Sequence, residues 1–290
     1  MLGTRLRITP YERQHRRALL DLSFTSHWTH KHLDWHTTGQ WLDNERGPVF
    51  LAWQGDALTG YIGFSRPIAG CSWIRLLGIG DGRMPGQIVA DLWQGAQAQC
   101  GRAGIRSVVI LATVNWLPAY MSRLDFEISD EIITMSHIGS RTPQAPSAAA
   151  TLRPAEIGDI ARLCEIDRLA FTPHWRMSRS DFRQALRIAA EPTVAVHQGE
   201  VVAYQFSTRH DAAGHLARLA VHPAWQRRGI ASLLVRRLLD EMRRRDVETL
   251  TVNTQASNHP SQRLYQRHGF FRNGYDLGLW RNSIAKSGAE

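Results

Sequence analysis

The 290-residue chain repeats itself. Leu6-Arg7 answers Leu152-Arg153, Phe50-Leu51-Ala52-Trp53-Gln54-Gly55-Asp56 answers Val194-Ala195-Val196-His197-Gln198-Gly199-Glu200, and Leu124-Asp125-Phe126 answers His268-Gly269-Phe270, a spacing of about 144 residues. Each half runs in one order: a strand, one or two helices, a hairpin turning at Gln-Gly-Asp or Gln-Gly-Glu, a third strand, a long helix, a further strand, a short helix and a closing strand. A chain patterned this way is expected to fold as two copies of one α/β unit, and 43% hydrophobic residues can fill two cores. Between the copies, Gly139 to Ala150 holds two prolines and no bulky apolar side chain, which is linker composition. The expected domains are therefore 1–138 and 151–290, with 139–150 as linker.

The second half carries the chemistry. His215 to Val221 reads as a strand that Pro223 stops, because proline has no N–H to give to a sheet. After Gly229, the residues Ile230, Leu233, Leu234, Leu238 and Met242 recur at helical spacing, so a helix with a buried stripe runs to about Arg245. Gly229, Ala231 and Ser232 keep the first turn small. Unpaired backbone N–H groups at the positive end of the helix dipole then stand open to an anion, with Arg227 and Arg228 beside them. A second strand, Glu248 to Thr254, is followed by Asn258, and seven residues later by Tyr265 and then Gly269-Phe270.

Gln226-Arg227-Arg228-Gly229-Ile230-Ala231 and the Asn258–Tyr265–Gly269 series, in this order, resemble the GNAT acyltransferase superfamily. The part from Thr249 to Phe270 is most similar to the ribosomal-protein alanine acetyltransferase branch. The resemblance implies an α/β fold of two tandem GNAT-like domains, each a mixed, mostly antiparallel central sheet flanked by helices. It implies acetyl-coenzyme A as acyl-donor substrate, and a primary amine of a small molecule or peptide as acceptor, joined in a direct ternary complex. Leu219, Ala220 and Val221 would lie on a splayed strand along the pantetheine arm. Arg227, Arg228, Gly229, Ile230, Ala231 and Ser232 would cradle the pyrophosphate, Asn258 would bond a pantetheine amide, and Tyr265 would be the catalytic general acid. Where that branch has a glutamate, this chain has Asn253, which takes no proton. His215, His222, Asp211, His259 and bulk water remain as bases, and a non-catalytic acyl-coenzyme A-binding protein remains as the rival function.

The first half has lost the motif. Its turn reads Gly80-Asp81-Gly82-Arg83-Met84-Pro85-Gly86, with a negative charge where a diphosphate would go and a proline that removes a donor, while Met121 falls opposite Tyr265. It is expected to be a degenerate copy that does not bind coenzyme A. His27, His30, His32 and His36, with Asp34, offer a zinc reading, but a loop that shapes a pocket or packs is favoured and no metal is expected. The formal charge of +9 is concentrated in the second half, where Arg227, Arg228, Arg236, Arg237 and Arg243 to Arg245 crowd the phosphate-binding helix. No nucleic-acid-binding pattern accompanies it, so nucleic acid is not the expected partner. Three cysteines without short spacing, no signal core and no apolar run near ~20 residues give a cytoplasmic expectation with no membrane. A monomer is favoured, because two halves in one chain can bury what single-domain relatives use to dimerise.

Overall fold

The computed structural model describes residues 6–44, 46–82, 85–138 and 150–284. Except for Ala150, the expected linker lies outside the described residues, as do Arg83 and Met84 of the first half's turn. The strands are β1 (Arg7–Pro10), β2 (Trp28–Lys31), β3 (Arg46–Gln54), β4 (Ala57–Ser65), β5 (Cys71–Ile79), β6 (Ser107–Leu111), β7 (Glu127–Ile138), β8 (Thr151–Pro154), β9 (Thr193–His197), β10 (Glu200–His210), β11 (Ala213–Val221), β12 (Thr249–Gln255), β13 (Phe271–Arg272) and β14 (Leu277–Ser283). The helices are α1 (Arg16–Thr25), α2 (Thr38–Asn44), α3 (Pro85–Arg102), α4 (Pro118–Met121), α5 (Ile160–Ala170), α6 (Arg179–Ile188), α7 (Ile230–Arg244) and α8 (His259–Arg267). The class is mixed α/β with mostly antiparallel pairing, as the sequence order implies.

The chain forms two compact units, but not at the expected boundary. One is Met1–Ser129 together with Leu277–Glu290, and the other is Asp130–Asp276. The difference lies in the closing strands. β14, the last strand among the described residues, pairs antiparallel with β6 from Leu279↔Leu111 to Ser283↔Ser107. β7, the last strand of the first half, pairs antiparallel with β12 from Gln255↔Ile132 to Thr249↔Ile138. The reason is packing: Ile133 and Met135 of β7 enter a core with Val252, Tyr265 and Phe270, while Trp280 of β14 packs on the cluster that α3 covers with Ile88, Leu92 and Trp93. Strand patterning states that a face must be buried, not which sheet will bury it.

In the first unit the sheet order is β1-β3-β4-β5-β6-β14. β5 and β6 are parallel over Cys71↔Ser107 to Trp73↔Val109 and then part. The freed end of β5 is taken by β2, antiparallel, from Lys31↔Leu76 to Trp28↔Ile79. Just before β2, the Asp81 carboxylate accepts from the backbone N–H of His27 at 3.2 Å and lies 2.8 Å from its Nδ1. The Trp28–Lys31 part of the His-rich segment is thus a strand of this sheet. His30 is buried with Nδ1 2.9 Å from Thr113 Oγ1, and His32 Nε2 lies 3.2 Å from Asp34. Among the described residues no group of three or more His, Cys, Asp or Glu side chains has a metal-binding arrangement.

Candidate active site

In the second unit the order is β7-β12-β11-β10-β9-β8. β11 and β12 run parallel only from Ala213↔Thr249 to Leu216↔Val252. Beyond that, Arg218 to Val221 pair with β10 alone, and Asn253 to Gln255 with β7 alone. Ala217 has no partner in the register with β10, and this bulge turns β11 away from its parallel neighbour. A wedge opens between the two strand ends, bordered by Leu219, Ala220 and Val221.

At the end of β11 the chain makes the expected turn. Pro223–Trp225 forms a short 3-10 turn, with the His222 Nδ1 accepting from Ala224 N at 3.2 Å and the Gln226 side chain donating to Val221 O at 3.2 Å. Arg227 (φ +60°) and Gly229 (φ +78°) are both left-handed. Left-handed residues alternating with ordinary ones turn successive N–H groups toward one side. Among the described residues, no hydrogen bond uses a backbone N–H from Arg227 to Ser232, whereas Leu233 already donates to Gly229 O at 3.0 Å. Six consecutive amides therefore await an acceptor at the N-terminus of a 15-residue helix. Arg228 stacks over Trp225, 4.6 Å from the ring centroid.

α7 holds the turn in place. Ile230, Leu234, Val235, Leu238, Leu239 and Met242 are buried, about 2 kcal/mol apiece by apolar transfer. Its arginines contribute far less, because exposed pairs are worth a few tenths of a kcal/mol each, and they are neutralised locally. Arg236 and Arg243 reach Asp240 at 3.4 and 2.8 Å, Arg245 reaches Glu241 at 2.7 Å, Arg244 also pairs with Glu241, and Arg237 lies 3.6 Å from Glu191. Much of the α7 charge is thus answered by Asp240 and Glu241 of the same helix and by Glu191.

Across the wedge, Asn258 caps α8, its Oδ1 accepting from Ser261 N at 3.2 Å, while its Nδ2 has no partner among the described residues. Tyr265, one helical turn and more further on, packs against Phe270 with ring centroids 5.6 Å apart. Burial pushes its phenol pKa above the ordinary value of 10, so the proton stays on. Asn253 is exposed on β12 opposite Thr134. Of the candidate bases, His222 borders the amide turn and His259 opens α8. His215 sits in the closed part of the parallel ladder, Nδ1 2.9 Å from Thr251 Oγ1. Asp211 occupies the β10–β11 turn, about 30 Å down the strand from Val221 at ~3.3 Å per residue, and is too remote for the wedge.

One constellation was missed. The buried Asp167 of α5 accepts from Tyr204 Oη at 2.6 Å, from Arg218 Nε at 3.0 Å and from Met177 N at 3.1 Å. Arg218 also donates to Trp175 O at 2.5 Å and lies over Phe171, 3.6 Å from its centroid. These bonds tie the Phe171–Met177 loop to β11 at the residue before Leu219. A signal existed: Tyr61 and Arg75 stand 143 positions before Tyr204 and Arg218, and Arg75 likewise donates to the His32 carbonyl, at 3.0 Å.

A splayed parallel pair, an amide cradle and a capped helix behind it define the acyl-coenzyme A-binding fold of the GNAT class. Residues 160–270 match the model of the Acetyltransferase (GNAT) family, and this part of the chain is a GNAT acetyltransferase domain. The whole chain is similar to a tandem GNAT protein from the clavulanic acid biosynthesis pathway, with 15% identity, a TM-score of 0.66, and coverage of 98% of this chain and 100% of that one, so the tandem GNAT fold extends through both units. The spore coat polysaccharide biosynthesis protein SpsD of Bacillus subtilis is 30% identical over 156 residues, 47% of this chain and 52% of that protein. The [ribosomal protein bS18]-alanine N-acetyltransferase of Salmonella typhimurium is 42% identical over 55 residues, 19% of this chain and 37% of that enzyme. The matches thus span about half or less of these curated relatives.

Proposed function

We propose that the Asp130–Asp276 unit is an N-acetyltransferase, moving an acetyl group from acetyl-coenzyme A to a primary amine of a small molecule or peptide within one ternary complex. The observation that carries this is the run of free amides from Arg227 to Ser232 at the end of the splayed strand. Six donors fixed in place before a ligand arrives fit a diphosphate without reorganisation. Leu219 to Val221, bonded on one side only, offer backbone groups to an amide-bearing arm, and Asn258 Nδ2 offers one more donor.

The chemistry then asks for orientation and two proton transfers. The amine nitrogen attacks the thioester carbonyl, the carbon–sulfur bond breaks, and Tyr265 gives its proton to the departing thiolate. The ammonium proton leaves to water or to His222 or His259 at the rim. Calorimetric titration of acetyl-coenzyme A tests the reading: one site per chain, abolished in Gly229→Glu and in Ser232→Glu, is expected, and no binding to the unaltered protein would discard it. The rival function, binding without catalysis, draws on Asn253; it predicts the same titration with no acetyl transfer across an amine panel.

A further inference from the structure

Among the described residues of the second unit, a row of three arginines on one helix forms no ion pair, and it is not on α7. Arg179, Arg183 and Arg187 lie at four-residue steps along α6, all exposed, and none forms an ion pair among the described residues. The acid nearest in sequence, Asp181, is engaged in the capping box, its Oδ2 accepting from Ser178 N at 2.9 Å. The contrast with α7 is sharp: there, Asp240, Glu241 and Glu191 answer Arg236, Arg237, Arg243, Arg244 and Arg245.

The row is also held in a defined place. Phe182 is fully buried on the other side of α6, against Tyr204 and Phe206 of β10 at 5.5 and 5.9 Å. The loop that leads into α6 is fastened to β11 by Arg218 through Trp175 O and Asp167, beside the wedge. α6 follows directly on this fastened loop, and its first arginine, Arg179, comes four residues after Trp175.

Resting on the acyltransferase reading above, we propose that α6 selects the acceptor, and that the acceptor is the amine of an acidic peptide lying extended along it. Spacing favours an extended chain. Successive arginines of the row are ~6 Å apart along the helix axis, and side chains on one face of an extended peptide recur every ~6.7 Å, so alternate carboxylates meet successive guanidinium groups. A compact single anion would use one arginine and leave two. A nucleic-acid strand would want aromatic platforms between the cations, whereas the positions between these arginines hold Ser180, Asp181, Gln184, Ala185 and Leu186, and the helix's one aromatic side chain, Phe182, is buried.

The probe is fluorescein-labelled hexaglutamate, followed by anisotropy on the intact protein with and without saturating acetyl-coenzyme A. Hexaglutamate should bind in both cases, more weakly as salt rises, and about tenfold more weakly to R179Q/R183Q/R187Q. Hexalysine should not bind. Failure to bind, equal binding by the variant, or displacement by acetyl-coenzyme A, which would place the peptide in the amide cradle, overturns the proposal; so does tighter binding of an oligothymidylate. Calorimetry of acetyl-coenzyme A on the same variant should give the unaltered affinity. Loss of cofactor binding by the unaltered protein would instead strike the acyltransferase reading itself.

Discussion

Tyr265, the acid in the proposal above, is a poor acid in its resting environment. Burial among Ile133, Val252 and Phe270 raises its pKa, so it keeps its proton; on that proposal the departing thiolate is what takes it. Tyr265→Phe should lower turnover ten- to a hundredfold with acetyl-coenzyme A affinity nearly kept; steady-state rates beside calorimetry check this, and unchanged turnover removes Tyr265 from the mechanism. His30 shows the opposite effect of burial. Desolvation lowers its pKa from 6.5 to about 3, so below pH 6.5 the unfolded chain takes a proton that the folded chain refuses. Stability should therefore fall with pH from 6.5 toward 3, by up to ~1.4 kcal/mol per unit from this group. Urea unfolding between pH 7 and 5, before most carboxylates titrate, should show the decline, and His30→Leu should flatten it. Single residues of this kind were unequally legible in sequence. Tyr265 and Asn258 sit in a local motif and were readable, whereas Asp167, Tyr204 and Arg218 lie 37 and 51 positions apart and meet only when α5 docks on the sheet.

Two elements divide the halves. In the second unit the freed end of β11 is open beside α7; in the first, the equivalent end of β5 is filled by β2, and Asp81 holds the backbone N–H that precedes it. β2 therefore fills the edge of β5 that corresponds to the open edge of β11, with backbone pairing that a ligand there would have to displace bond by bond. The expected stoichiometry is one acetyl-coenzyme A per chain, and a titration giving two sites would show that β2 yields. Composition could not supply this. From spacing alone His27 to His36 offers a zinc reading beside the favoured packing loop; the structure instead makes Trp28–Lys31 a strand and sets His30, His32 and His27 beside Thr113, Asp34 and Asp81. Strand, turn and helix around Gly229 were, by contrast, foreseeable to within two residues, because periodicity and Pro223 act locally.

The repeat made two units foreseeable, and local patterning could not foresee that they trade their last strands. Removing residues 1–150 should leave 151–290 without β7, exposing β12 and the Tyr265–Phe270 core, while 127–276 keeps a complete sheet. Circular dichroism and urea titration of the two fragments should find cooperative unfolding in the longer-sheeted one and none in the other; a stable 151–290 would show that β7 is dispensable. The same exchange sets an order of events during synthesis. β6 leaves the ribosome some 170 residues before its partner β14. Until β14 emerges the first unit must wait with one sheet edge bare, so a chain stalled before Leu277 is expected to present that edge to chaperones or to other nascent chains.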